Sequence, residues 1–288
     1  MSSTMRPTVA VLGAGAMGEI LAVGLIRAGW SLDDIVMVAR RPERAKEAER
    51  LTEIRTILDP VAAMKGQDVV IVAVKPKDVP DLLDQVGESI STDQLVISLA
   101  AGVPLAVFEQ ALPGVPVIRS MPNTPAAVAE GMSAYCGGSE VDEEAFAKAD
   151  AILAAVGETI RLSEDLLDAV TAISGSGPAY VFLLAESLTE AAIREGLPHH
   201  AAEKLVDQMI RGAGILLQGS EKSAFRLRGE VTSPGGTTAA AVHVLEDGGF
   251  RALMEDAVRS AADRSQALGE RAAADVAARH EVPTESGE

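Results

Sequence analysis

The chain has 288 residues, 48% of them hydrophobic, and its 42 acidic against 25 basic residues leave a net charge of −17. That balance excludes nucleic acid, whose phosphates need lysine and arginine patches, and an anionic membrane surface; a small anionic ligand remains open, because a local backbone dipole can hold one. Aromatic residues make up only 3% and alanine is abundant, which favours closely packed helices over a sheet-rich fold, in one large domain or two ordinary ones.

The N-terminal stretch MSSTMRPT has no apolar segment of the kind a signal peptide carries, and no apolar run reaches the ~18 residues of a membrane span, so a soluble cytoplasmic protein is expected. TVAVLG (8–13) is an apolar, β-branched run ended by glycine, suited to a buried parallel strand. Met17, Ile20, Leu21, Gly24, Leu25 and Ala28 then form a helical stripe, with Gly29 placed to cap it. IVMVA (35–39), VVIVAV (69–74), LVISLA (95–100) and VPVI (115–118) continue the strand series, and Val79, Leu82, Leu83 and Val86 mark a helix between two of them. Strands alternating with amphipathic helices predict an α/β fold with a doubly wound, Rossmann-type parallel sheet. Cys136 is the only cysteine, so no intrachain disulfide can form.

Strand signals stop after ETIRLS, near residue 163. PAYVFLLAESLTEAAIREG begins with proline and ends with glycine, as helices do. HHAAEKLVDQMIRGAGILLQGS, EKSAFRLRGEV and FRALMEDAVRSAADRSQALGER read as further helices. Their apolar faces are broad for so small a bundle, so the expectation is packing on a second copy of the chain. The predicted organisation is a dinucleotide-binding domain over 1–163, an all-α dimerisation and substrate domain over 164–272, and a flexible tail over 273–288. His199 and His200 are adjacent and point apart, His243 and His280 stand alone, and no metal site is expected.

Gly13, Gly15 and Gly18 form G-A-G-A-M-G between a predicted strand and a predicted helix. In that context the first glycine makes the tight turn, the second admits a pyrophosphate and the third lets helix and strand pack closely. Ala14, Ala16 and Met17 complete the loop and the first helical turn, whose free N–H groups attract an anion by about 0.3–1 kcal/mol, up to ~2 when partly buried. An acid after the second strand would hold a ribose 2′-hydroxyl. Here Arg40 and Arg41 stand there instead, and arginines fork onto a 2′-phosphate. NADPH is therefore the expected cofactor, with NADH as a second one. Stiff or small turns at later strand ends should edge the same crevice: Ala73, Val74, Lys75 and Pro76; Ala100, Ala101 and Gly102; and Asn123 within SMPNTPA.

VTSPGGTT (231–238) puts two glycines, a proline and four hydroxyl side chains in front of a helix. Together with VLGAGAMG, AVKPKD, SLAAG, MPNTPA and SGSGPAY it makes residues 8–270 resemble pyrroline-5-carboxylate reductase, the enzyme that completes proline biosynthesis. The resemblance implies an NADPH-binding N-terminal domain and a helical dimerisation domain, as a homodimer that in this family often assembles into a ring, five dimers making a decamer. It also implies an active site where the nicotinamide of one subunit faces SPGGTT at the dimer interface. Relatives often carry a neutral polar residue at position 230, so Glu230 is not taken as a ligand.

The substrate so implied is a five-membered cyclic imine bearing a carboxylate. Gly235 and Gly236 let backbone N–H groups approach that carboxylate at a helix N-terminus, while Ser233, Thr237 and Thr238 add hydroxyl donors. Thr238 is the candidate catalytic residue, beside the ring nitrogen. Ser176 in SGSGPA is the other residue expected near substrate, whereas Glu164 reads as a solvated carboxylate ahead of the alternative, a contact with substrate or proline through a neighbouring subunit. Other readings stay open: a β-hydroxyacid dehydrogenase of like design, though SGSGPAYVFLLAE lacks the lysine of the GxxGxGxxxK pattern, another imine reductase of the same two-domain design, and a non-catalytic NADP-binding protein.

Overall fold

The computed structural model describes residues 6–280, and the chain divides into two compact units. The first comprises the chain up to Ser176 together with Ala261 onward; the second is Gly177–Ser260. The division falls later than the boundary expected between 163 and 164, because Leu167 and Ala172 are fully buried in the first unit. Nor does the ordered chain end at 272. A helix runs through Phe250–His280, with Val276 only 2% exposed. Residues 281–288 of the expected tail lie outside the described residues.

The first unit is built on an eight-stranded sheet in the order β3-β2-β1-β4-β5-β6-β7-β8. Its strands are β1 Val9–Leu12, β2 Ile35–Val38, β3 Thr56–Ile57, β4 Val69–Val72, β5 Leu95–Ser98, β6 Val117–Met121, β7 Gly131–Gly137 and β8 Gly157–Arg161. Strands β1 to β6 are parallel, β7 runs antiparallel to β6, and β8 lies parallel to β7. Every residue of β1, β2, β4 and β5 is buried, as parallel strands covered on both faces require. Val9 and Val11 enter one core with Leu21 and Leu25, while Ala10 and Leu12 enter the other with Leu83 and Phe108. This is the period-two alternation of a strand between two layers.

The helices of those layers are α1 Ala16–Arg27, α2 Pro42–Thr52, α3 Pro60–Met64, α4 Val79–Val86, α5 Leu105–Ala111 and α6 Glu143–Leu153, followed by the short α7 Leu167–Val170. A π-helical turn, Thr171–Gly175, comes next, with Ser176 N–H donating to the Thr171 carbonyl at 2.8 Å. Composition pointed away from so large a sheet. Its central strands are short, though, and carry Val and Ile rather than aromatic residues.

The second unit holds α8 Gly177–Arg194, α9 His199–Gln218, α10 Ala224–Glu230, α11 Thr237–Asp247 and the first residues of α12 Phe250–His280. None of α8, α10 or α11 has a buried residue, and α9 has only Ala202 and Val206. Phe182, Leu183, Ile215 and Leu216 are 58–66% exposed. The sequence has no continuous apolar run of membrane-span length, but the helical stretch Glu164–Arg194, 31 residues long, holds an 18-residue window of mean hydropathy 1.3, enough to cross a membrane by length and composition. Glycines, serines and threonines interrupt it, so no continuous apolar run marks it in the sequence.

Candidate active site

β1 pairs with β2 on one side and β4 on the other, so the crevice at its carboxyl end is the topological switch point of the sheet. The chain leaves β1 through Gly13, whose φ of +127° a side chain would strain and whose added Cβ would lie 2.7 Å from the Ala73 carbonyl oxygen. Gly13 and Ala14 N–H both donate to the Val38 carbonyl, at 3.1 and 2.8 Å, which pins the turn between the neighbouring strands. Gly18 sits beneath it, and a Cβ there would collide with the Gly13 carbonyl oxygen. Gly15 is different: nothing lies within 4 Å of where its Cβ would be. It is the N-cap of α1 and caps it with no side chain, leaving first-turn N–H groups, such as those of Ala16 and Met17, without a side-chain acceptor.

A cleft of about 400 Å³ opens here. Gly13, Ala14 and Gly15 line it from β1, Arg40 and Arg41 from beyond β2, and Ala73, Val74 and Lys75 from beyond β4. An open glycine, an uncapped helix N-terminus and arginines in one cleft fit a phosphorylated dinucleotide. Pro76 begins the next turn, Pro76–Asp78. Ala100, Ala101 and Gly102 follow β5, outside the cleft wall. Arg40 is mostly exposed and reaches Asp78 at 3.2 Å; Arg41 is the N-cap of α2 and exposed.

Arg44 also lines the cleft and was not singled out from the sequence. Its Nε donates to the Ala14 carbonyl at 2.8 Å, and its other nitrogens pair with Glu47 and Glu19. It thereby ties α2 across the glycine turn to α1. The available signal was an arginine in the first turn of the helix after β2, three residues beyond Arg41.

Asn123 has its side chain engaged elsewhere: Nδ2 donates to the Ser174 carbonyl at 3.1 Å and Oδ1 accepts from Met132 N–H at 2.8 Å. That amide fixes the π-helical turn to β7, and the Asn123 carbonyl accepts from Ala126 N–H at 3.2 Å, so the side chain is not available to a ligand. Gly175 in the same turn would put a Cβ 2.5 Å from Met121 Cε, a packing reason for glycine. Ser176 is half-buried at the end of the turn, and such turns recur at functional sites. Glu164 is not a free solvated carboxylate, since its Oε1 accepts from Arg119 at 3.0 Å and from Leu105 N–H at 2.7 Å.

In the second unit, α10 ends and the chain turns through residues 231–236 into α11. Gly236 is the N-cap, with no side-chain cap hydrogen bond. Gly235 has φ +72° and open space at its Cβ position. Of the four hydroxyls only that of Thr232 has a partner, the Arg228 carbonyl at 2.6 Å. Those of Ser233, Thr237 and Thr238 make no hydrogen bond among the described residues. The turn therefore presents donors at a helix N-terminus without using them to cap the helix. Glu230 beside it is neutralised by Lys222, whose Nζ lies 2.8 and 2.9 Å from its carboxylate oxygens.

A family model described as pyrroline-5-carboxylate reductase dimerisation matches residues 164–268, and one described as NADP oxidoreductase coenzyme F420-dependent matches 8–102. The pyrroline-5-carboxylate reductase of Corynebacterium melassecola is 40% identical over 266 residues, covering 91% of this chain and 98% of that protein. That of Mycobacterium tuberculosis is 39% identical, covering 90% and 96%. Among solved structures, the Coxiella burnetii pyrroline-5-carboxylate reductase superposes with a TM-score of 0.84 at 35% identity, over 92% of this chain and 99% of that one. A Plasmodium falciparum pyrroline carboxylate reductase with NADP bound gives a TM-score of 0.84 at 28% identity, over 91% and 98%.

Proposed function

The chain belongs to the pyrroline-5-carboxylate reductase family, and from that premise we propose that its cleft takes NADPH and that the turn at residues 233–238, supplied by a second copy, holds the substrate. The protein reduces L-1-pyrroline-5-carboxylate to L-proline, the last step of proline biosynthesis, using NAD(P)H. The observation that carries the site assignment is the uncapped N-terminus of α11 with its three unengaged hydroxyls. NAD(P)H supplies the hydride that the imine carbon accepts, while the ring nitrogen gains a proton.

The chain's own residues have four tasks. Gly13, Gly15 and the first turn of α1 hold the pyrophosphate, and Arg40 and Arg41 hold the 2′-phosphate, with Lys75 at the other wall. Backbone N–H groups at Gly235, Gly236 and the first turn of α11 bind the substrate carboxylate, aided by the Ser233 and Thr237 hydroxyls. The Thr238 hydroxyl faces the ring nitrogen, as a proton partner or as an acceptor that orients an iminium already protonated in water. Ser176 lies near the substrate. Because the imine is itself basic, positioning and electrostatics supply most of the rate.

The exposed apolar faces of α8 and α9 support a homodimer; five such dimers in a decamer, and a cytoplasmic location, complete the proposal. The experiment is NADPH oxidation, followed at its near-ultraviolet band, with pyrroline-5-carboxylate added. Oxidation that requires this imine supports the reading. Oxidation without it, or only with a β-keto acid, refutes it.

A further inference from the structure

Residues 261–280 of α12 pack within the first unit, behind the loop that joins β5 to α5. In that loop Gly102 has φ +77°, and a Cβ on it would lie 2.7 Å from the Ser265 carbonyl oxygen. The contact is reciprocal, for a Cβ on Gly269 would run into the Gly102 carbonyl oxygen. Two backbones touch with no side chain between them.

The other end of the loop is gripped by a half-buried polar cluster. Glu164 accepts from Leu105 N–H, the first residue of α5, at 2.7 Å. Arg119, 6% exposed on β6, bridges Glu164 at 3.0 Å and Asp168 at 3.4 Å. Asp168 in turn accepts from Ser265 Oγ at 2.7 Å, and Ser265 is 3% exposed. The circuit therefore closes from Gly102 through Ser265, Asp168, Arg119 and Glu164 back to Leu105. A half-buried ion cluster adds little net stability; what this one does is fix the two ends of a single loop. Further along α12, Arg279 pairs with Asp81 and Asp84 of α4 at 2.7 and 2.6 Å, bracing the helix that follows the β4 turn.

We propose that this half of α12 is a brace that sets the 99–104 loop for the cofactor, with Ser265 and Gly269 as positioning residues for hydride transfer. The inference rests on the proposed NADPH site and on the reading of the sequence that Ala100, Ala101 and Gly102, which follow β5 beyond the cleft wall, edge the same crevice. A Gly269→Ala side chain must push the loop by on the order of 1 Å, a misplacement that costs up to ~10²-fold.

The test uses the full-length protein and three variants, Gly269→Ala, Ser265→Ala and Gly15→Val. It measures the NADPH Kd by nicotinamide fluorescence, the split of KM against kcat, and Tm. Gly269→Ala is expected to weaken NADPH binding and lower kcat/KM for NADPH by ~10- to 10²-fold. Ser265→Ala, which removes one bond without adding bulk, should do the same by about tenfold or less. A merely structural role lowers Tm and leaves both constants unchanged, and that outcome overturns the proposal. Should Gly269→Ala fail to fold, Ser265→Ala decides alone. Gly15→Val, placed in open space at the mouth of the cleft, tests the underlying reading. If it weakens NADPH binding while the α12 variants do not, the brace alone is wrong; if it has no effect, the cofactor reading falls and the brace with it.

Discussion

The two units solve the burial problem in opposite ways. In the first, the strands bury every residue of four consecutive runs between two helical layers, and Val9, Val70, Ile97 and Phe108 have no exposed surface. In the second, three helices bury nothing, and large apolar side chains such as Phe182 and Leu183 are left open at 66% and 63%. Their polar groups divide the same way. In the first unit, Arg44 at the cleft and Asn123 after β6 have their side-chain polar atoms committed to the protein, whereas the turn before α11 keeps three hydroxyls unengaged. The first unit closes its own core and leaves its cleft open. On the proposed reading the second is completed by another copy, and the hydroxyls it leaves unsatisfied are those the substrate meets.

The sharpest way to break this contrast is at the apolar face. Leu216→Glu places a carboxylate on a side chain now 58% exposed. If a second copy covers it, the buried unpaired charge costs several kcal/mol and weakens association on the order of 10³-fold or more, taking activity with it. Light scattering and activity measured together check this. A folded, active monomer of the unmodified protein would show that the second unit needs no partner and would remove the shared active site.

Next in size is Thr238→Val, which keeps the shape and removes the hydroxyl. As a proton partner, Thr238 accounts for roughly 10²–10⁴-fold in turnover. As an orienting acceptor it accounts for about tenfold, the worth of one hydrogen bond of ~1.4 kcal/mol. NADPH affinity should hardly change in either case. Turnover and substrate affinity both at the wild-type level would leave the turn as a carboxylate clamp only.

How far the sequence discloses each unit follows from the same contrast. β1, β2, β4 and β5 are legible because strands buried on both faces are uninterrupted runs of Val, Ile and Leu. β7, Gly-Met-Ser-Ala-Tyr-Cys-Gly, is not, since its glycines stand where a Cβ would lie 2.9 Å from Ala126 (on Gly131) or 2.5 Å from Phe146 (on Gly137), and such close approaches leave no periodicity. β3 is two residues long and held by its neighbour rather than by its own composition. The glycine loop and the hydroxyl turn are legible because backbone approach demands rare residues at fixed spacing. Arg44, Ser265 and Gly269 are not, because their roles depend on partners 30, 97 and 167 positions away.

Arg40 and Arg41 sharpen the reading of the first unit. Replacing both with alanine should raise KM for NADPH by about tenfold to a hundredfold, the range of charge-assisted bonds to one phosphate, and leave KM for NADH nearly unchanged. Arg40 must give up Asp78 to reach a phosphate, so Asp78→Asn should shift the preference further toward NADPH. Equal effects on both cofactors would show that neither arginine reads the 2′-phosphate. A thiol reagent offers a simple control in the same unit. Burial pushes the Cys136 thiol up to about 11, so activity at pH 7 should be indifferent to alkylating agents.

The smallest effect is expected in the second unit, at its surface. Glu246, the penultimate residue of α11, bonds Arg251 at 2.7 and 2.8 Å and Arg228 at 2.9 Å, joining α10, α11 and the start of α12. Hydrogen bonds from Arg251, then from Arg228, hold its carboxyl down at about 2 against an ordinary 4.5. A carboxylate whose folded pKa is lowered stabilises the fold above its unfolded value, and that contribution fades as pH falls through the folded one. The window is therefore about pH 4.5 down to about 2. The cluster is fully exposed, so solvent screens it and the gain is slight. Glu246→Gln should lower Tm by a small, constant amount above pH 4.5, with the difference closing as pH approaches 2. Raising the salt at neutral pH should close it as well. A difference that persists at high salt and low pH would mean that Glu246 acts through packing, and that the second unit has more of a core of its own than its exposed helices suggest.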